Sequence, residues 1–188
     1  KDRWNAAFFC GSCAVLRKSA LDGIGGFATG TIAEDLHTSL KLHKAGWKSA
    51  YHAESLAFGL SPATFEPYHV QRVRWGQGAM QVWRKEGVLF ARGLSLGQRL
   101  SYLASIITYF DGWQKALFYT LPAFVLITGV MPMARIDWEF ALRFLPWFTL
   151  SIVLGEELGR GFGRTLSIEQ YNFLRFPAFV HATLALFW

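Results

Sequence analysis

Gln71-Arg72-Val73-Arg74-Trp75 decides how this chain is read, because it follows the acidic pair Glu34-Asp35 by 36 residues and leads into an apolar second half. On a helix, Gln71, Arg74, Trp75 and Gly78 fall at i, i+3, i+4 and i+7 and share one face. Val70, Val73, Met80 and Trp83 form another stripe, suited to anchoring in a core. An amide, a cation, an indole and a gap would then stand together on the face left over. Ser61-Pro62 offers a capping hydroxyl and a first-turn proline, and Gly87 a stop, so a helix over 61–86 is expected.

Working outward, the charge is uneven. Residues 1–100 hold thirteen Lys/Arg and seven Asp/Glu, residues 101–188 six of each, so the net +6 lies in the first half. Basic flanks beside apolar segments follow the positive-inside bias and place the first half in the cytoplasm. The basic residues are dispersed rather than clustered, which argues against nucleic acid as a partner. Eight Trp and seventeen Phe concentrate toward the second half; such side chains bury large areas and favour bilayer interfaces. The opening residues, Lys1 to Phe9, show no long apolar core before a cleavage site, so no signal peptide is expected there. With no initiator Met and an end inside an apolar run, the sequence is expected to be an internal piece of a longer protein.

Residues 8–16 read as a strand interrupted at Gly11-Ser12, followed by a short helix from Lys18 to Ile24 that Gly25-Gly26 breaks. A helix over Glu34–Lys44 follows, with Leu36 and Leu40 on one face and Gly46 past its end, then a short strand over Trp47–Ala53. This is α/β alternation. Residues 95–110 read as an amphipathic helix at a bilayer surface, with Gln98 and Arg99 opposite Leu96, Leu100, Leu103 and Ile106. Ala116–Met133 is uncharged and close to the ~20 residues that span a hydrocarbon core. Phe140–Gly155 is a weaker span, interrupted by Arg143 and Pro146, and Phe173–Trp188 begins a third. Gly159, Gly161 and Gly163 alternate, but no strand precedes them and they do not make a phosphate loop.

Three clusters could carry chemistry. Cys10-Gly11-Ser12-Cys13 has the C-x-x-C spacing of a thiol redox motif or half a zinc site. A second pair is missing and a strand-like run follows, so two reduced thiols in a tight turn is the preferred reading. Glu34-Asp35 at a loop-to-helix junction fits two roles. Acidic residues there complement the helix dipole, and an exposed carboxylate there can act as a general base. Neighbours on a helix point about 100° apart, so only one can face a substrate; Asp35 is the candidate, with Glu34 bracing it. The Gln71–Trp75 face is either an interfacial helix surface with Trp75 in the aromatic belt, or a ligand site. In the second case Arg74 would pair with a diphosphate, Trp75 would stack on a sugar ring and Gln71 would bond phosphate or hydroxyl.

Phe8-Phe9-Cys10-Gly11-Ser12, Ala33-Glu34-Asp35 and Gln71-Arg72-Val73-Arg74-Trp75 resemble, in order, the F-F-C-G-S, T-E-D and Q-x-x-R-W signatures of processive glycosyltransferases of family 2, and within it those of the bacterial cellulose synthases. The likeness covers roughly residues 5–110 and runs more loosely onward. It implies the following. The fold is α/β, the C-terminal part of a GT-A domain over 1–92, followed by interface and transmembrane α-helices over 93–188. Asp35 is the catalytic base. Glu34, Gln71, Arg74 and Trp75, with Phe9, Cys10, Gly11 and Ser12, bind donor and acceptor. UDP-glucose and a β-1,4-glucan end are the substrates, in the bacterial inner membrane, with residues 1–92 cytoplasmic. Further partners implied are the lipid bilayer, a periplasmic synthase subunit, and cyclic-di-GMP through a domain outside this sequence.

Two departures stand out. Ala33 replaces the motif's Thr, and no D-x-D occurs, since Asp111 is followed by Gly and Trp. The family's Mg²⁺ is therefore expected to bind residues upstream of this sequence, with no metal site inside it. Synthases of chitin, hyaluronan or β-1,3-glucan share these motifs. A transporter subunit or a non-catalytic scaffold would need neither Asp35 nor Trp75.

Overall fold

The computed structural model describes residues 1–54, 56–131, 137–159 and 165–187. Met133, Gly161, Gly163 and Trp188, which enter the readings above, lie outside them. The described α-helices are α1 (Lys18–Gly23), α2 (Glu34–Lys44), α3 (Phe65–Glu86), α4 (Leu96–Ile107), α5 (Asp111–Thr128), α6 (Trp138–Gly159) and α7 (Thr165–Leu184). They fall into two compact units, Lys1–Asp111 with Ala178–Trp188, and Gly112–Pro177.

In the first unit, α2, α3 and α4 close on one apolar core. Leu36 and Leu40 come from α2, Ala79, Met80 and Val82 from α3, and Tyr102 and Ile106 from α4; Val88, Ala91 and Leu94 fill in from the α3–α4 connection. Local chemistry sets the ends. Past α2, Gly46 (φ 84) takes the left-handed conformation, and its N–H reaches His43 O while Trp47 N–H reaches Leu42 O. That paired arrangement satisfies carbonyls that the helix leaves open. Gly87 (φ 52) ends α3 and Gly25 (φ 81) follows α1 in the same conformation. Ser95 and Gln98 form a reciprocal capping box at the start of α4.

Helix α3 begins at Phe65, after Thr64, rather than at Ser61-Pro62. The reason is Pro67: starting at 65 keeps it in the first turn, where its missing N–H costs nothing and its ring meets no preceding turn. Val73 and Met80 are buried as the stripe requires, but Val70 is 52% exposed. Gly76 and Gly78 take its place at the interface. A Cβ on Gly76 would lie 2.5 Å from Ala182 Cβ, and one on Gly78 2.6 Å from Ala33 N. Two mid-helix glycines cost about 1 kcal/mol each relative to Ala, and here they allow backbone to approach.

The expected strands over 8–16 and Trp47–Ala53 do not form; no strand occurs among the described residues. A strand exists only as part of a ladder, and here side chains occupy the backbone donors instead. Phe9 N–H donates to Ser39 Oγ (3.1 Å), Ser49 N–H to Asn5 Oδ1 (2.7 Å) and Tyr51 N–H to Asp2 Oδ1 (2.9 Å). The regular structure described is thus helical and the α/β expectation is not met. In α4 the expected faces are partly exchanged: Gln98 is buried beside Tyr102 and Ile106, while Leu96 and Leu100 are exposed. Gln98 turns inward because its amide also donates to Asn5 O (2.8 Å), so its polar atoms are satisfied when buried.

In the second unit Lys115 pairs with Glu169 (3.0 Å), and Tyr119 O–H donates to the same carboxylate (2.7 Å). Phe173 and Phe176 pack around the Tyr119 ring. Phe140, Phe144 and Phe148 stack along α6. Among the described residues, no helix is long and apolar enough to cross a membrane, so the expected spans are not confirmed. The uncharged run of α5 ends at Thr128, before Gly129 (φ 69). From Ala116 that is about 20 Å of helix, against a hydrocarbon core of about 30 Å. Glu139 and Arg143 interrupt α6 near its start and Glu156 and Glu157 near its end; Glu169 and Arg175 lie within α7.

Candidate functional site

Asp35 sits in the first turn of α2, half-buried, while its neighbour Glu34 is exposed. One Asp35 oxygen accepts the N–H of Leu36 (2.7 Å). The other faces Gly11: a Cβ built there would stand 3.3 Å from Asp35 Oδ2. Gly11 holds φ +80, a conformation only glycine adopts without strain, so the chain passes the carboxylate with bare backbone. Cys10, Gly11 and Ser12 are exposed beside it and Phe9 is half-buried. Phe9 is pinned to α2 through Ser39 one turn beyond Asp35, and its ring lies against Phe27 (6.4 Å). Burial and then the Asp35 carboxylate push the Cys10 thiol up, with Lys1 opposing. A thiol so disposed is a poor thiolate, and both cysteines are free and exposed.

The loop that delivers Asp35 is fixed to α3. Ala33 seats on Gly78, Ile32 N–H donates to Gln81 Oε1 (2.9 Å), and Lys85 Nζ reaches Gly30 O (3.5 Å). The helix carrying Gln71–Trp75 is therefore the wall against which the acidic pair is set. Gln71 is half-buried; Arg74 and Trp75 are exposed, Trp75 by 48%. No hydrogen bond among the described residues joins Gln71, Arg74 or Trp75 to Asp35. An open depression of about 370 Å³ lies between the same loop and α3, lined by Gly30, Thr31, Gln81, Arg84 and Lys85. Asp35 is not in its lining; the described contacts bring Gly11 to Asp35 and Gly78 to Ala33, and none brings Gln71, Arg74 or Trp75 to the carboxylate.

Reading the sequence missed two residues here. Arg72, inside Gln71–Trp75 but assigned nothing, lies over the rings of Tyr68 (4.8 Å) and Trp75 (4.6 Å), and its Nε is buried without a hydrogen-bond partner among the described residues. The signal was present: aromatics at i−4 and i+3 of an arginine share its helix face. His37, two residues past Asp35, is 1% exposed and only its contacts reveal it. Its Nε2 stands 2.7 Å from Glu86 Oε1 and its Nδ1 3.2 Å from Thr31 Oγ1. Lys44 Nζ also reaches Glu86, at 2.8 Å. Burial alone would raise the Glu86 carboxyl, but hydrogen bonds and charge from Lys44 and His37 hold it below the usual carboxylate range.

Among the described residues, no three His, Cys, Asp or Glu side chains are grouped to hold a metal ion. The described residues therefore do not fit Mg²⁺.

Residues 3–155 match the model of Glycosyl transferase family group 2. The UDP-forming cellulose synthase catalytic subunit of Komagataeibacter sucrofermentans is 36% identical over 171 residues, 91% of this chain and 23% of that protein. Its namesake in Pseudomonas fluorescens is 43% identical over 128 residues, 68% of this chain and 17% of that protein. The one in Xanthomonas axonopodis pv. citri is 46% identical over 111 residues, 59% and 15% respectively. The chain thus spans less than a quarter of the length of these relatives, and with a family model covering most of it, the chain belongs to Glycosyl transferase family group 2.

Proposed function

We propose that this chain is the acceptor-side part of a processive, inverting β-glycosyltransferase that extends a β-1,4-glucan from UDP-glucose, with Asp35 as general base. The observation that supports the reading is how closely the Asp35 turn is set between the Gly11 loop and α3, the helix that also carries Gln71–Trp75. Gly11 brings bare backbone to Asp35 Oδ2, and Gly78 of the Gln71–Trp75 helix seats the residue two before it. A carboxylate serving only the helix dipole needs neither approach.

In this mechanism Asp35 takes the proton of the 4-hydroxyl at the glucan's non-reducing end. That oxygen forms the new bond to C1 of glucose as the bond from C1 to the UDP oxygen breaks, and UDP leaves with the electron pair. Attack opposite the leaving group inverts the anomeric centre. Arg74, exposed and with no ion pair among the described residues, offers the leaving diphosphate a planar guanidinium, and Gln71 an amide. Trp75 presents an indole face to the apolar C–H face of a pyranose. Phe9–Ser12 line the acceptor end beside the base. Exposed Leu96, Leu100 and Ile107 on one side of α4 support contact with the lipid bilayer, consistent with synthesis at a bacterial inner membrane and delivery of the polymer across it.

The test is product analysis. Membrane vesicles bearing the full-length protein receive labelled UDP-glucose, and the insoluble product is treated with a β-1,4-glucanase. A digestible polymer is expected. Incorporation from UDP-N-acetylglucosamine instead would overturn the substrate, and silence with every nucleotide sugar from a folded preparation would overturn the activity.

A further inference from the structure

We propose that His37 is a positioning residue for Asp35, acting through the Thr31 hydroxyl and the turn that enters α2; the inference rests on Asp35 being the base. The side chains form a chain of contacts from the end of α3 to the N-cap of α2. Lys44 and His37 both grip Glu86, His37 reaches Thr31, and the Thr31 hydroxyl reaches Ala33 O at 3.3 Å. Ala33 is the N-cap residue of α2 and directly precedes Glu34-Asp35. Its place is otherwise set by the His37 backbone N–H, which donates to Ala33 O at 3.0 Å, by the Gly78 seat and by Gln81 on Ile32.

Proton counting fixes the direction of these bonds. A carboxylate only accepts, so Nε2 carries a proton toward Glu86. The Thr31 hydroxyl has a single proton. When it is donated to Ala33 O, the Thr31 oxygen is left to accept, and the group that faces it is Nδ1 of His37 at 3.2 Å. If Thr31 gave its proton to Nδ1 instead, the Ala33 carbonyl would keep the His37 N–H (3.0 Å) but lose the tie to the loop before it. His37 thereby holds the hydroxyl in the orientation that ties down the N-cap, and the N-cap sets where the Asp35 carboxylate lies relative to Gly11. The structure gives Ala33 no side-chain cap of its own, which is what makes this link from Thr31 consequential.

The two ring nitrogens can be separated by substitution. Asn places an amide nitrogen near the Nδ1 position and keeps the bond to Thr31; Gln places one near Nε2 and keeps the bond to Glu86. The experiment uses the full-length protein in membrane vesicles with UDP-glucose. Thr31→Val and His37→Gln are expected to lower kcat roughly 10- to 100-fold, the scale on which small misplacements of a reacting group act, with KM for UDP-glucose nearly unchanged. Thr31→Ser and His37→Asn should retain most of the parent kcat, and the Thr31→Val/His37→Gln double variant should be no worse than either single one. Thr31 is a half-buried loop residue, so its variants keep the test independent of core damage at His37. Asp35→Asn is run alongside. If it is inactive while Thr31→Val keeps the parent kcat, the positioning proposal is overturned and the base reading stands. If Asp35→Asn remains active, the base reading falls and this proposal with it. Equal losses in His37→Asn and His37→Gln, or a fall in Thr31→Ser matching that in Thr31→Val, would also overturn it.

Discussion

A methyl group on Gly11 would face the Asp35 carboxylate at 3.3 Å and force φ +80 on an alanine. Left-handed backbone costs a non-glycine residue about 1–2 kcal/mol, and the methyl would displace the chain that lines the carboxylate. Gly11→Ala should therefore lose most polymer synthesis while lowering the unfolding midpoint only modestly. Unchanged synthesis would remove Gly11 from the site. Arg72 argues at the same scale. Its guanidinium covers Trp75 from one side, bracing an indole that is still 48% exposed.

At the scale of elements, α3 is the part on which the account depends, because it both displays Gln71–Trp75 and seats Ala33. Gly78→Ala would put a Cβ 2.6 Å from Ala33 backbone nitrogen, where neither side is a flexible side chain. Overpacking of this kind costs about 1–3 kcal/mol, and activity should fall further than stability as the Asp35 turn is pushed off the helix. Parent-level synthesis in Gly78→Ala would contradict that coupling. What could be read from sequence divides along the same line. The ends of α2 and α3 were legible because Gly46 and Gly87 act locally, within a turn of the residues that they cap. The orientation of α4 was not, because Gln98 turns inward for a carbonyl 93 residues away. Strands over 8–16 and Trp47–Ala53 could not be settled from pattern either, since a strand depends on a ladder partner and side chains of Ser39, Asn5 and Asp2 took the donors. Val70 pointed outward because glycines, which periodicity scores poorly, made the closer contact. The candidate residues near Asp35 were legible as motifs, whereas His37 and Thr31 required the packing of α2 on the end of α3.

For the whole molecule, the buried histidine His43 predicts an acid limit. Burial lowers its pKa from the ordinary value of 6.5, and its two nitrogens are engaged by Tyr102 O–H (2.6 Å) and Ser49 Oγ (2.9 Å). A lowered folded value means that the unfolded chain binds the proton more readily. The contribution is thus fully present above 6.5 and is lost as pH falls below it toward the folded value. Glu86, whose carboxyl is held below its ordinary 4.5, adds a second loss in the same direction, beginning as pH falls through that value. The unfolding midpoint should decline below about pH 6.5 and more steeply below about pH 4.5; a flat profile across this range would contradict the lowering at His43 and Glu86. The central claim, that Asp35 is the base of a glycosyl transfer, is tested most directly by Asp35→Asn in the full-length protein, with polymer formation from labelled UDP-glucose and UDP binding measured on one preparation. The account predicts loss of polymer with UDP binding retained, and near-parent synthesis by that variant would contradict it.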